Sequence, residues 1–121
     1  VHSEAFYTGI ADLICRYRGK YYIIDWKTDI LDSDFSNFLP EKLFQPMWEK
    51  FYLYQSLLYS AVLIRFLSFR TGLTPEQIYD QQFGGVRYLF LRGMDPAVPG
   101  RGIFSCKPSF ELLNEIAGGL S

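Results

Sequence analysis

The chain has 121 residues and a net charge of −1, with 49% hydrophobic, 18% aromatic and 21% charged residues. This length suits one domain, and this composition excludes a disordered tail and a strongly basic protein that coats nucleic acid. The two cysteines, Cys15 and Cys106, form no CxxC pair, which argues against a structural zinc or a four-cysteine iron–sulfur site. This cysteine usage fits a reducing setting, and we expect a cytoplasmic protein.

The first third of the chain is predicted to form a β-hairpin. Residues 9–17 (GIADLICRY) and 20–28 (KYYIIDWKT) are rich in β-branched and aromatic residues. Gly19 lies between the two segments as a turn signal. We therefore expect two antiparallel strands joined by a tight turn at Arg18 and Gly19.

The remaining elements are predicted to alternate between helix and strand. A polar loop ends at Pro40, which can be the first residue of a helix because its missing N–H costs nothing there. A long helix, a short helix with Thr74 as its N-cap, a strand, a short strand and a terminal helix then follow over residues 47–70, 74–80, 84–93, 103–107 and 109–119. This order predicts an α/β fold with one small mixed sheet.

The long predicted helix is apolar around much of its circumference. Its large apolar residues include Met47, Phe51, Leu58, Val62, Phe66 and Phe69. We therefore expect a helix that packs on the sheet and exposes little of its surface. Glutamine, serine, arginine and tyrosine residues interrupt the apolar stretch, so we expect a buried helix rather than a membrane span, and no contact with a membrane.

Two acidic residues lie inside the apolar strands of the predicted hairpin. The turn position makes the numbers of paired residues sum to about 37, so Asp12 should lie close to Asp25. Facing carboxylates repel unless a cation compensates, and a hard divalent metal ion is the natural choice. Because strand side chains alternate, Lys27 should share a face with Asp25, whereas Trp26 should point to the opposite face. We expect the side chain of Trp26 to belong to the hydrophobic core.

Two carboxylates, one metal ion and one lysine are the groups that phosphodiester hydrolysis requires. An ammonium group beside metal-bound carboxylates can position or activate water and stabilise the charge of a pentacovalent phosphorane. The spacing of Asp25 and Lys27 also occurs in surface ion pairs on edge strands. The residues alone leave both interpretations open.

Gln55 and Tyr59 form a second candidate constellation on the long helix. Their spacing of four residues places them on one helical face, where an amide and a phenol could contact phosphates or bases. The alternative is that Tyr59 belongs to the core and that Gln55 is a satisfied buried amide.

These motifs resemble those of the PD-(D/E)XK nucleases of the RecB type. The matching segments are residues 9–13 (GIADL), 25–27 (DWK) and 55–59 (QSLLY). Residues 49–67 and 83–95 resemble in particular the C-terminal nuclease domain of the RecB family, whose members are beta subunits of exodeoxyribonuclease V. The resemblance covers nearly the whole chain.

The resemblance implies a restriction-endonuclease-like core, in which helices flank a small mixed sheet. It implies that Asp12, Asp25 and the backbone carbonyl of Trp26 bind Mg²⁺ and that Lys27 is the catalytic lysine. Gln55 and Tyr59, which match the family's Q-x-x-x-Y motif, would shape the DNA side of the site.

Residues 1–121 would then form one nuclease domain, as a fragment of a larger helicase–nuclease subunit. The family's N-terminal helix, which carries a further His or acidic ligand, would precede this chain. The implied activity is Mg²⁺-dependent hydrolysis of linear DNA in double-strand break repair and recombination, in a complex with RecC and RecD.

Two alternatives to this function remain open. One is a non-catalytic docking or DNA-end-binding module with vestigial carboxylates. The other is a nuclease of the AddAB type or a stand-alone RecB-family exonuclease. The retained Asp12, Asp25 and Lys27 argue against the first, and the low cysteine count argues against the iron–sulfur variants of the second.

Overall fold

A computed structural model of the chain describes residues 13–27, 38–44, 47, 51–116 and 118. Within these residues, four strands form one sheet in chain order: β1 (Leu13–Tyr17), β2 (Lys20–Lys27), β3 (Phe83–Phe90) and β4 (Ile103–Cys106). The α-helices in the same part of the chain are α1 (Tyr52–Thr71), α2 (Pro75–Gln81) and α3 (Phe110–Ile116). Short 3₁₀ turns lie at Pro40–Lys42 and Leu91–Gly93. The predicted α/β class is confirmed.

The hairpin of β1 and β2 has the predicted turn and register. Arg18 and Gly19 have φ angles of 51° and 81°, and two consecutive positive φ angles match the twist of the flanking strands. The antiparallel pairs run from Leu13 opposite Ile24 to Tyr17 opposite Lys20, so that paired residue numbers sum to 37. The predicted start of the first strand, including Asp12, lies outside the described residues.

The mixed character of the sheet comes from its central pair, because β2 and β3 run parallel while the outer pairs are antiparallel. The chain between β2 and β3 includes α1 and α2, as a parallel connection requires. In the resulting register, Asp25 lies opposite Tyr88 and Lys27 opposite Phe90. The predicted small mixed sheet is therefore confirmed.

The core lies on the face of the sheet that α1 covers. Its buried apolar residues are Ile23, Phe38, Leu43, Met47, Ala61, Leu63, Ile64, Leu67, Ile78, Phe83, Val86, Tyr88, Phe90 and Leu113. The prediction that the side chain of Trp26 belongs to the core is wrong, since it is 38% exposed. Strand alternation turns Trp26 away from the face on which α1 contacts Lys27 and Tyr88.

Helix α1 begins at Tyr52, five residues later than predicted. Phe51 precedes it with a φ of 61°, and this left-handed conformation separates α1 from any helical turn before it. The predicted end is confirmed, because Gly72 adopts the left-handed conformation and its N–H donates to Ser68 O.

The outer face of α1 contradicts the expectation of little exposed surface. A row of large side chains, each 42–86% exposed, follows the helix at steps of three or four residues: Phe51, Tyr54, Leu58, Val62, Phe66 and Phe69. We call these six residues the apolar row. The buried face instead includes Ser56, Ser60 and Ala61, and such small side chains allow the helix backbone to approach the sheet closely. None of the described helices is both long and apolar enough to cross a membrane.

The short helix α2 begins with the predicted capping box. Thr74 Oγ1 accepts a hydrogen bond from Gln77 N at 3.2 Å, and Gln77 Oε1 accepts one from Thr74 N at 2.9 Å. Pro75 occupies the first helical position, where it has no N–H to satisfy. The capping box thus sets where α2 begins, and α2 ends just before β3.

Candidate active site

Asp25 and Lys27 form a buried ion pair on one face of β2. Their side chains are 5% and 13% exposed, and Lys27 Nζ lies 3.1 Å from Asp25 Oδ2. Because β2 is flanked by β1 and β3, this pair is not the exposed ion pair of an edge strand. Burying both charges costs desolvation free energy, so solubility of the protein surface does not explain why the pair lies here.

The start of α1 places its polar side chains over this pair. Lys27 Nζ donates to Gln55 Oε1 at 3.3 Å, and Gln55 Nε2 donates to Tyr59 OH at 3.0 Å. Four of the residues singled out from the sequence therefore meet in one chain of polar contacts. Gln55 is a satisfied amide, as the alternative interpretation required, but its partner is the lysine of the candidate site.

Two tyrosines that the sequence reasoning missed also line the site. Lys27 Nζ lies 4.0 Å from the ring centroid of Tyr52 and 5.5 Å from that of Tyr88. The two rings are stacked, with centroids 5.9 Å apart and planes inclined by 14°. Ring faces at these distances attract an ammonium group electrostatically. Helical spacing could have identified Tyr52, which precedes Gln55 by three residues.

The hydroxyl of Tyr88 is a buried hydrogen-bond donor. It lies 2.9 Å from the carbonyl oxygen of Tyr52 and 3.2 Å from Gln55 Oε1. Both of these oxygens can only accept, so the hydroxyl must donate. Burial, and after it the negative charge of Asp25, raises the pKa of Tyr88 above its ordinary value. The phenol therefore stays protonated and remains a donor.

The predicted metal ligands are only partly within the described residues. Asp12 lies outside them, whereas Asp25 and the backbone of Trp26 lie on β2. Among the described residues, no group of three His, Cys, Asp or Glu side chains lies close together. A buried carboxylate and a main-chain carbonyl are hard oxygen donors, and Mg²⁺ commonly binds through one or two carboxylates and water. The donor chemistry at this end of β2 therefore fits Mg²⁺.

Comparison with known proteins finds relatives that share one name. The chain is 40% identical to "RecBCD enzyme subunit RecB" of Haemophilus influenzae over 110 residues, which are 91% of this chain and 9% of that protein. It is 34% identical to the protein of the same name from Escherichia coli over an alignment of 116 positions, which covers 93% of this chain and 10% of that protein. The Mycolicibacterium smegmatis protein of that name is 32% identical over an alignment of 122 positions, which covers 91% of this chain and 11% of that protein.

The chain thus spans about a tenth of the length of the curated relatives it matches. No protein-family model matches the chain. The matched region includes nearly all of this chain in each relative, so the similarity is not confined to one motif. The predicted resemblance to RecB proteins is therefore confirmed, and the chain is a homologue of a segment of proteins named RecBCD enzyme subunit RecB.

Proposed function

We propose that this chain supplies the active site of a metal-dependent DNA nuclease of the PD-(D/E)XK type. One observation carries the proposal: Asp25 and Lys27 form a buried ion pair on a central strand, with Gln55 held against the lysine. A non-catalytic docking module is disfavoured, because docking does not require a buried ion pair whose desolvation is costly.

Asp12 and Asp25 would hold the metal ion together with the carbonyl of Trp26. The sequence predicts Asp12 opposite Asp25, and the described pairs of the hairpin, from Leu13 with Ile24 to Tyr17 with Lys20, follow the register on which that prediction rests. The cation we propose is Mg²⁺, which prefers such oxygen ligands. When bound, it would supply Lewis-acid stabilisation of the charge on the scissile phosphate.

Lys27 would position the attacking water and stabilise the negative charge that develops on the phosphate. An ammonium group has three N–H donors, and two of those of Lys27 point to Asp25 and Gln55. The third can then reach a water molecule or a phosphate oxygen. Gln55 and Tyr59 would hold the lysine in place on the side from which DNA approaches.

The relatives' name extends the proposal to the whole protein. We propose that the chain is the nuclease part of a RecB-type subunit, which assembles with subunits of the RecC and RecD kind. Its substrate would be linear DNA, and its role would lie in double-strand break repair and recombination. The shared name and the identity of 32–40% across this chain support this assignment over a stand-alone exonuclease.

The test is cleavage of linear duplex DNA by the full-length protein with its partner subunits. We expect cleavage with Mg²⁺, none with a chelator, and a loss of at least about 100-fold in the variant Asp25→Ala, comparable to removing a group that stabilises transition-state charge. Asp80→Ala is the matched control, because Asp80 is an exposed aspartate on α2. Normal cleavage by Asp25→Ala would refute the proposal.

A further inference from the structure

The following inference deepens the proposed function and rests on it. We propose that Tyr88 is a positioning residue: it fastens the start of α1 to β3, and thereby holds Gln55 and the ring of Tyr52 against the ammonium group of Lys27. Tyr88 itself would touch neither the metal ion nor the DNA.

The contacts of Tyr88 join all the α1 groups that touch the lysine. Its hydroxyl lies within hydrogen-bond distance of Tyr52 O, at 2.9 Å, and of Gln55 Oε1, at 3.2 Å. Its ring stacks on the ring of Tyr52. Gln55 Oε1 and the ring centroid of Tyr52 in turn lie 3.3 Å and 4.0 Å from Lys27 Nζ. Moving this one side chain would therefore disturb both contacts.

The N-terminus of α1 lacks the usual side-chain cap of a helix. Its N-cap residue, Phe51, has no side-chain oxygen to accept from the first N–H groups, and the first turn carries no acidic residue. Phe51 is also in the left-handed conformation, so α1 is not the continuation of a preceding helix. The hydrogen bond from the Tyr88 hydroxyl to the carbonyl of Tyr52 instead joins the first turn of α1 to β3.

Tyr88 can hold the first turn of α1 in place because its own side chain is confined by the packing around it. It is fully buried on β3, directly opposite Asp25 of β2. A buried aromatic side chain on a central strand has little freedom to move.

Tyr79 provides a matched control for loss of a tyrosine hydroxyl. It is half-buried in the same molecule, and its hydroxyl donates to a backbone carbonyl, Pro108 O, at 2.6 Å. The cation over its ring is Lys107 and not Lys27. Tyr79→Phe therefore removes a bond of the same kind without touching the candidate site.

The experiment measures DNA cleavage by Tyr88→Phe, Gln55→Ala and the double variant in the full-length protein. We expect Tyr88→Phe to lower kcat about tenfold, the size seen when residues that orient catalytic groups are removed, with an unchanged KM for DNA. In the Gln55→Ala background, the same substitution should cause little further loss, because coupled residues are not additive. Tyr79→Phe should cleave normally.

A second variant keeps the test decisive if Tyr88→Phe folds poorly. Tyr52→Leu removes the stacked ring but keeps the backbone carbonyl, and we expect it to lower kcat with an unchanged KM. Full activity of Tyr88→Phe, or a loss that adds completely to that of Gln55→Ala, would overturn the positioning role. The proposed function fails by a different result, namely normal cleavage by Asp25→Ala.

Discussion

Lys27 Nζ lies 3.1 Å from Asp25 Oδ2, and both side chains project from the same face of a strand that has neighbours on both sides. The carboxylate is buried, so its ion pair with the ammonium group offsets part of the cost of removing its charge from water. The two groups therefore depend on each other, and replacing either one should affect both stability and chemistry.

Replacing Lys27 by methionine tests this dependence. The change keeps an unbranched side chain but removes the charge, so we expect cleavage to fall by about 100-fold or more, as when a transition-state donor is lost. Without a metal ion, the buried Asp25 would also lose its ion pair with Lys27, and the free energy of unfolding should fall by about 3 kcal/mol, as for a broken buried pair. Cleavage assays and urea titrations measure the two effects.

Lys42→Met is the control for that variant, since Lys42 is exposed in the turn Pro40–Lys42. It makes the same chemical change away from the candidate site. Equal losses of activity in the two variants would contradict a specific role for Lys27.

Asp25→Asn tests the proposed metal ligand. The amide keeps the shape of the side chain but removes the charge that attracts a cation, so we expect the Mg²⁺ concentration for half-maximal cleavage to rise at least about tenfold. Asp12→Asn should act in the same direction. A Mg²⁺-dependent rise in the unfolding temperature gives a readout that does not require activity. An unchanged rise in Asp25→Asn would show that the carboxylate does not bind the metal.

Gly85→Ala tests the close approach of β3 and β4. Gly85 has a φ of 109°, and an added Cβ would lie 2.7 Å from the backbone oxygen of Cys106. Gly19→Ala is the comparison, because Gly19 also has a positive φ, of 81°, but open space around it. Both variants should lose about 1–2 kcal/mol from the left-handed backbone, and Gly85→Ala should lose more because the backbone must also shift. Equal denaturation midpoints would contradict this.

Cys106 should be a slow nucleophile in the folded protein. Burial raises the pKa of its thiol, and the hydrogen bond with Ser56 and the charge of Arg87 oppose this only in part. In a Cys15→Ala background, we expect iodoacetamide at pH 8 to modify Cys106 several-fold more slowly in the folded than in the urea-unfolded chain, since the thiolate reacts. Equal rates would contradict a raised pKa.

The same shift has a consequence for stability, and its sign follows from proton binding. The folded thiol keeps its proton at a higher pH than the unfolded thiol does. Its contribution to stability is therefore complete below the ordinary pKa of a thiol and declines as the pH rises above it. The wild-type chain should lose stability more steeply above that pKa than Cys106→Ala does.

Features that depend on near neighbours in the chain were predictable from the sequence. The turn at Arg18 and Gly19 sets the hairpin register, and strand alternation places Asp25 and Lys27 on one face. Helical spacing places Gln55 and Tyr59 together, although only the fold shows that they meet Lys27. Each of these inferences needs only the geometry of one element or one tight turn.

Features that depend on distant pairing were not predictable. Tyr88 reaches the site because β3 runs parallel to β2 in one particular register, and no local pattern specifies a pairing between segments so far apart. The left-handed conformation of Phe51 was also missed, since a bulky residue rarely adopts it. A helix that is apolar on all sides does not reveal which face the sheet will cover. In the same way, strand alternation shows that Trp26 points away from Asp25, but it does not show whether that face of the sheet is covered.

The apolar row on α1 has a practical consequence for anyone who studies this segment by itself. Six large side chains in a line of about 27 Å, from the rise per residue of a helix, form a continuous water-exposed strip that favours self-association. We expect the isolated 121 residues to sediment as a concentration-dependent mixture of species. Val62→Glu together with Phe66→Glu should yield a monomer, because both side chains are more than half exposed and the two added charges would interrupt the apolar strip. Such a variant would make the Asp25 and Lys27 pair accessible to solution spectroscopy at high protein concentration.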